Sequence, residues 1–469
     1  MAARLREGFT TGSAATGAAL AALHLLRAGC APSHVDVPLP PFSSGSSASS
    51  GPRDAAAAVA ADAATDAATP DATPDAASDA ASDAVSGAAN DATPEHADIP
   101  TPRGWLRLEV AVCGHGPAPE LAACPEFAPL FAEGGSCGHA VGAEGRNDGL
   151  RVAHASIRKD GGDDPDATSG ALITVTVVEN FAMTGQTGVT AAAATGPDAA
   201  DSPAVSIEGG PGVGRVTLPG LPVPVGEAAV NPTPRQQIAF AMRHGARVFG
   251  TGPCPPLRVI VSVPEGERLA RQTFNPRLGI VGGISILGTQ GTVRPYSHQA
   301  WKATIEQGLA VAAATGCRDM GLTTGRRSER LLMDKYPQMP QRSFIQVADF
   351  AAFSLKAAGA MPFDNLIWGC FFGKLVKLAQ GHAYTHARHA ELDMEELARL
   401  CRQCGASCAD QVGHCITAAH ALELLLQDKA GNDVIALTGE KAAAVAANFA
   451  GRHVRLHLFH TDGRELLAL

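Results

Sequence analysis

Four glycine-containing loops carry the residue types best suited to hold a ligand. The first is Gly209-Gly210-Pro211-Gly212-Val213-Gly214-Arg215, directly after a strand-like run at 204–207. Glycine lets the backbone turn its N–H groups outward and approach a ligand closely. Gly209, Gly210, Gly212 and Gly214 are therefore candidate binding positions, with a structural turn as the alternative. Pro211 and the proline-rich stretch after it argue against a following helix, which excludes a dinucleotide fingerprint. The second loop, 274–295, sets Gly282 and Gly283 in an apolar segment between Arg277 and Arg294. It could line a pocket for a flat, carboxylate-bearing ligand, or be a pair of core strands with glycine bulges. The third is Thr323-Thr324-Gly325-Arg326 and the fourth is Gly373-Lys374-Leu375-Val376-Lys377. Both read as strand-to-helix turns, where free N–H groups favour anions. Neither is a nucleotide phosphate loop. Gly369 stands one residue too close to Gly373-Lys374, and no Ser or Thr follows Lys374 to hold magnesium.

Other clusters suggest proton transfer or metal binding. Asp160, Asp163, Asp164 and Asp166 crowd a glycine-rich turn after Lys159; Asp163 and Asp164 are candidate bases, and a solvated hairpin is the plainer reading. His382 and His386 have one-face helical spacing, with His389 and Arg388 beside them, but no acid completes a His-Glu-x-x-His pattern. Cys401, Cys404, Cys408 and Cys415 are loosely zinc-like in spacing. The first three also fit one stripe of a helix with Leu397 and Leu400, where cysteine packs as a small apolar residue. The expectation is no protein-bound metal.

These residues need elements to position them. Residues 9–28 predict a helix, capped by Thr10 or Thr11 and stopped at Gly29. Runs at 105–114, 151–160 and 171–179 alternate like strands. From about Asn231 the texture becomes strand, glycine loop and helix in turn: strands at 258–263, 319–324 and 365–372, helices at 303–316, 349–360 and 373–381. Helices are also expected at 391–405, 416–428 and 440–449, with an edge strand at 453–459 closing the chain. The fold class expected is α/β, an N-terminal α+β region followed by an α/β region with a mostly parallel sheet. Ligands on such sheets sit at the carboxyl ends of the strands. The domain reading is 1–42 with 101–230, then 231–469. Residues 43–100 form an acidic Ala/Asp/Pro-rich insertion too poor in large apolar side chains to fold, and a second candidate insertion spans 115–147.

Composition narrows the function. The chain of 469 residues is 45% apolar and 18% charged, as in soluble globular proteins. Nine aspartates, Glu95 and a single base, Arg53, fall in 43–100, so the whole formal charge of -9 resides there. No basic stripe points to nucleic acid, and no run is long enough for a membrane helix. Eleven cysteines without a regular framework fit free thiols in a reducing compartment. The N-terminal stretch ending at Ala28-Gly29-Cys30 mimics a lipoprotein signal, but Arg27 and breaks at Thr16, Gly17 and His24 speak against it. A cytoplasmic location is expected.

Taken in order, six segments resemble the cobalt-precorrin-5B C1-methyltransferase (CbiD) family: REGFTTGSAATGAALAAL from Arg6, KDGGDDPDATSGA from Lys159, IEGGPGVGRVTLPGLPVPVGEAAVNPTPR from Ile207, VSVPEGERLARQTFNPRLGIVGGISILGTQGTVRPYS from Val261, LTTGRRSE from Leu322 and GKLVKLAQGHAYTHAR from Gly373. Departures include Ser13, Ala14, Leu20, Ser169, Leu218 and Arg326, where the family often has other polar residues. The resemblance implies methyl transfer from S-adenosylmethionine to C1 of the cobalt-precorrin-5B macrocycle, giving cobalt-precorrin-6A. Cobalt enters only as part of the substrate. An activated sulfonium mainly needs proximity and in-line orientation. The corrinoid carboxylates would suit Arg215, Arg277, Arg294, Lys374, Lys377 and Arg388. The glycine loops, with Thr323, Thr324 and Gly325, would suit the methyl donor. His386, Asp163 or Asp164 could take a proton. A non-catalytic tetrapyrrole carrier and a Cys/His metalloprotein are the rival readings. The partner expected is the corrinoid alone, and the sequence leaves open whether the chain forms a homo-oligomer.

Overall fold

The computed structural model describes residues 5–43, 101–128, 151–179, 203–250 and 254–469. The disordered insertion expected at 43–100 lies, apart from Ser43, outside the described residues, as do residues 129–147 of the second candidate insertion. Helix α1 (Thr11–Ala28) is capped by Thr10, whose Oγ1 accepts from the Ser13 N–H, and ends at Gly29 in the left-handed region. Its small Ala, Gly, Ser and Thr side chains and its leucines are buried almost all round, as befits a core helix rather than a surface one. It packs under a five-stranded sheet: β1 (Val112–His115), β2 (Arg151–Arg158), β3 (Leu172–Glu179), β4 (Val205–Gly209) and β5 (Leu257–Ser262), in the order β1-β2-β3-β5-β4. All neighbours are antiparallel except β5 and β4. Alternation puts Ala153, Ala155 and Ile157 of β2 beside Ile173, Val175 and Val177 of β3 in one core with α1. A separate hairpin pairs His34–Ser43 with Thr101–Glu109 and brings Ser43 opposite Thr101.

Strand β5, expected in the second region, hydrogen-bonds into this first sheet, and α2 (Pro232–Val248) packs on α1. Ile238, Ala241 and Met242 of α2, Val259 and Val261 of β5, and Ile284 and Ile286 share the first core. The interrupted pattern after 231 is real, but hydrogen bonding assigns its first strand to the older partner.

The second sheet follows helix α3 (His298–Ala314). Its strands are β6 (Asp319–Thr323), β7 (Phe344–Gln346), β8 (Asn365–Phe371), β9 (Val454–Phe459) and β10 (Glu465–Ala468), in the order β7-β6-β8-β9-β10. Four of them run parallel and β10 is antiparallel to β9. The strand expected at the edge, β9, is thus interior. Helices α4 (Arg326–Lys335), α5 (Ala351–Gly359), α6 (Phe372–Ala379), α7 (Met394–Gln403), α8 (Ala418–Gln427) and α9 (Gly431–Ala450) complete this half. A second core centres on the fully buried Trp368 with Leu322, Leu375, Leu456 and the face of α9.

Candidate active site

A cleft of about 220 Å³ opens where the start of α1, the β2–β3 turn, two loops and α3 converge. Its apolar walls are Val216, Leu221 and Val223 from one loop and Leu278, Ile280 and Ile284 from the other. Thr304 and Gln307 of α3 form a further wall. Among the described residues its charged lining is Lys159 and Asp166.

The turn from Lys159 to Ala171 is closed by main-chain bonds from Lys159 N to Ala171 O and from Gly170 N to Lys159 O, both 2.8 Å. That closure points Lys159 inward, leaving it only 2% exposed. Its Nζ donates to Asp166 Oδ2 at 2.5 Å. Asp166 Oδ1 accepts from both the N–H and the hydroxyl of Thr168, at 2.7 and 2.6 Å. Burial pulls the Asp166 carboxyl upward, but the Lys159 charge and these hydrogen bonds outweigh it and hold the group below the ordinary aspartate value.

The acids singled out from sequence do other work. Asp163 accepts from the Arg6 N–H at 2.7 Å and Asp164 from the Tyr296 N–H at 2.9 Å. Both pin neighbouring segments to the turn, and neither lines the cleft. Asp166, two residues on, is the acid that does.

Uncharged residues missed in the sequence form much of the polar lining. The Thr11 hydroxyl accepts from Leu287 N at 2.9 Å, and Ser13 Oγ donates to Gly291 O at 2.8 Å, tying α1 to the 285–291 loop. Asn275 Nδ2 donates to Gly283 O and Ser285 Oγ to Asn275 Oδ1. The threonine, asparagine and serine types gave no charge signal to find them by.

Most of the glycines serve chain packing instead of ligand approach. A Cβ at Gly212, which has φ +74°, would strike the Val263 carbonyl, and one at Gly283 would strike the Gly212 carbonyl. The residues 212–213 and 283–284 pair as parallel strands. Gly209, Gly210 and Gly214 are likewise filled against side chains of the protein, whereas Gly282 faces open space.

The basic residues divide in the same way. Arg277 forms a two-pronged ion pair with the buried Glu329 of α4, so its guanidinium is already engaged within the protein. Lys377 is 8% exposed and donates to Thr385 O at 3.1 Å; burial, and secondarily the neighbouring Lys374, push its ammonium below the ordinary lysine value. It too is spent internally. Lys374 pairs with Asp349 and reaches Thr385 Oγ1 at 3.2 Å. Arg215 and Arg294 stay more than half exposed; Arg215 donates to Gly226 O at 2.6 Å and lies 3.6 Å from Glu126, and Arg294 lies 3.4 Å from Glu7. Arg388 is exposed.

Thr323, Thr324 and Gly325 end β6 and open α4, next to the start of α6 after β8. The order β7-β6-β8-β9 reverses direction between β6 and β8, which is where open sheets of this kind form a crevice. His386 stacks on Tyr384 near this edge, its ring accepting from the Arg388 N–H at 3.2 Å. Tyr384 in turn meets His298 at the start of α3. His386 lies outside the cleft lining. Cys401, Cys408 and Cys415 are buried in the second core, and burial, with the neighbouring thiols, pushes Cys401 up to about 12. Among the described residues no group of three or more His, Cys, Asp or Glu is placed to hold a metal ion, and no helix is long and apolar enough to cross a membrane.

The comparisons with known proteins bear on the same segments. The family model CbiD matches residues 141–295, and that of the CbiD C-terminal domain matches 384–468. A cobalt-precorrin-5B C(1)-methyltransferase from Nitratidesulfovibrio vulgaris is 53% identical over 316 residues, covering 66% of this chain and 76% of that one. One from Paraburkholderia phymatum is 39% identical over 67% of this chain and 80% of its own. One from Geobacillus thermodenitrificans is 48% identical, but the match spans 63% of its length and 55% of this chain. A crystal structure of a cobalamin biosynthesis protein (cbiD) from Archaeoglobus fulgidus is 21% identical over 79% of this chain and 78% of its own, with a TM-score of 0.30, too low to carry an argument. With more than three quarters of a 53%-identical relative covered, the chain belongs to the CbiD family.

Proposed function

We propose that the cleft holds the methyl donor and that the corrinoid docks across its mouth. The chain is a methyltransferase of cobalamin biosynthesis acting on C1 of cobalt-precorrin-5B, as its relatives' names state. S-adenosylmethionine, when bound, supplies an activated methyl group on a sulfonium. Electrons from C1 form the new carbon–carbon bond as the sulfur–methyl bond breaks, leaving a thioether. The protein's part is to bring the two together in line and keep water out.

The observation that carries this reading is the position of two exposed arginines. Arg215 precedes Val216 and Arg294 follows Val293, and both valines line the cleft. Two exposed guanidiniums, each next in sequence to a lining valine and Arg215 steadied by its bond to Gly226 O, suit a ring whose edge bears carboxylates. The cleft itself fits the donor: aliphatic walls for the nucleoside, and Thr10, Thr11, Asn275 and Ser285 as hydrogen-bonding groups. Lys374 and Arg388, at the carboxyl edge of the second sheet, are the other basic candidates for the corrinoid.

Steady-state kinetics of cobalt-precorrin-5B methylation, followed by mass, tests the arrangement. Arg215→Met and Arg294→Met should each raise the corrinoid KM about tenfold, the lower end for a lost charge-assisted hydrogen bond, and leave the donor KM unchanged. If Lys374→Met raises the corrinoid KM while both arginine variants leave it untouched, the ring sits at the second sheet's edge and the docking proposed here is wrong.

A further inference from the structure

The geometry points to Lys159 and Asp166 as a matched pair for a zwitterionic α-amino-acid group, Lys159 taking its carboxylate and Asp166 its ammonium. This rests on the reading that the methyl donor occupies the cleft, and it specifies which end of the donor lies deepest.

A lysine ammonium has three N–H donors. Lys159 is almost wholly buried, yet among the described residues its Nζ finds a single partner, Asp166. A buried cation with unused donors is costly unless further acceptors arrive. The side chain lines the cleft, so a ligand in the cleft is the source of such acceptors. Asp166 is complementary. Its Oδ1 is occupied twice by Thr168, whereas Oδ2 accepts only from Lys159 and keeps a lone pair free. Its side chain retains 22% exposure.

Among the described residues the rest of the lining is uncharged: threonines, Asn231, Asn275, Ser285, Gln307 and apolar walls. A ligand carrying only a carboxylate would meet Asp166 unfavourably, and one carrying only a cation would meet Lys159. An α-amino acid places both charges on one carbon and satisfies both residues at once. The donor's methionine portion has that group; a corrinoid side chain, a bare carboxylate, does not.

Isothermal titration with two probes isolates the effect. S-adenosylhomocysteine carries the amino-acid end, and 5′-methylthioadenosine is the thioether nucleoside without it. The wild-type chain should bind the first at least tenfold tighter than the second. Lys159→Met and Asp166→Asn should each weaken S-adenosylhomocysteine by about ten- to a hundredfold, the range for one lost charge-assisted hydrogen bond, and leave methylthioadenosine within twofold. Because a single change strands the other charge, Lys159→Met/Asp166→Leu is the control for folding. It should bind both probes equally, at the wild-type affinity for methylthioadenosine. Parallel losses for both probes, or no loss for either, overturn the assignment. Should the wild-type chain bind neither probe, the placement of the donor in the cleft falls first.

Discussion

Arg277 and Glu329 meet through both guanidinium prongs, Nη1 to Oε1 at 2.5 Å and Nη2 to Oε2 at 2.9 Å. Gln346 of β7 donates to the same carboxylate at 2.7 Å. Arg277 sits in the turn Asn275–Leu278, whose neighbours Phe274 and Asn275 line the cleft, while Glu329 lies in the first turns of α4 after Thr323-Thr324-Gly325. One ion pair therefore fastens the cleft wall to the second sheet.

Removing the arginine leaves a carboxylate that is 3% exposed without its main partner. Arg277→Met should cost about 3 kcal/mol, the low end for breaking a buried pair because the arginine is itself partly exposed. Adding Glu329→Gln removes the stranded charge and should restore much of the loss. Urea unfolding of the two variants measures it; equal midpoints for wild type and Arg277→Met would show that the pair holds nothing together.

The hairpin geometry speaks to the acidic segment. Ser43 and Thr101 are cross-strand partners, so a short turn can join them. Replacing residues 44–100 with a Gly/Ser turn should leave the melting temperature within a few degrees or raise it slightly, since closing a shorter loop is worth roughly 1–2 kcal/mol. A drop of ten degrees or more would mean that these residues pack on the fold.

Acid should act through Asp166. Its folded value lies below the ordinary one, so the unfolded chain binds its proton first as pH falls. The stabilisation is complete above about pH 3.9, the unfolded value, and is lost as pH falls through the folded value. At pH 7 Asp166→Asn should melt below wild type, and the gap should close in the range below about pH 4, as pH falls through the folded value. A gap of constant size across that range would detach the carboxylate from the stability of the turn.

Much of the secondary structure was legible because periodicity survives folding: α1, β2, β3 and β8 fall where apolar spacing and caps predict them. What periodicity could not convey was partnership. The run at 453–459 reads as an edge when taken alone; the Asp462-Gly463 turn, an Asp-Gly hairpin signal, brings the short β10 against its outer side. β5 looked like the first strand of a new sheet because parallel and antiparallel partners leave the same local pattern. In the β2–β3 turn, four aspartates within seven residues gave the chemistry but not the direction of each side chain. Main-chain closure decides that Asp166 faces the cleft and Asp163 does not. The basic residues divide for a similar reason: sequence shows charge, and only packing shows that Glu329 pairs with Arg277 while Arg215 and Arg294 stay exposed.

Beside the cleft, main chain lies directly on main chain where Gly212 meets Gly266 and Gly283. A surface made that way has no side chain to vary. Any redesign of what the cleft accepts must work through its side walls, at Leu221, Val223, Thr304 and Gln307, whereas substitutions at the three glycines would disturb the backbone before they could reshape the ligand's surroundings.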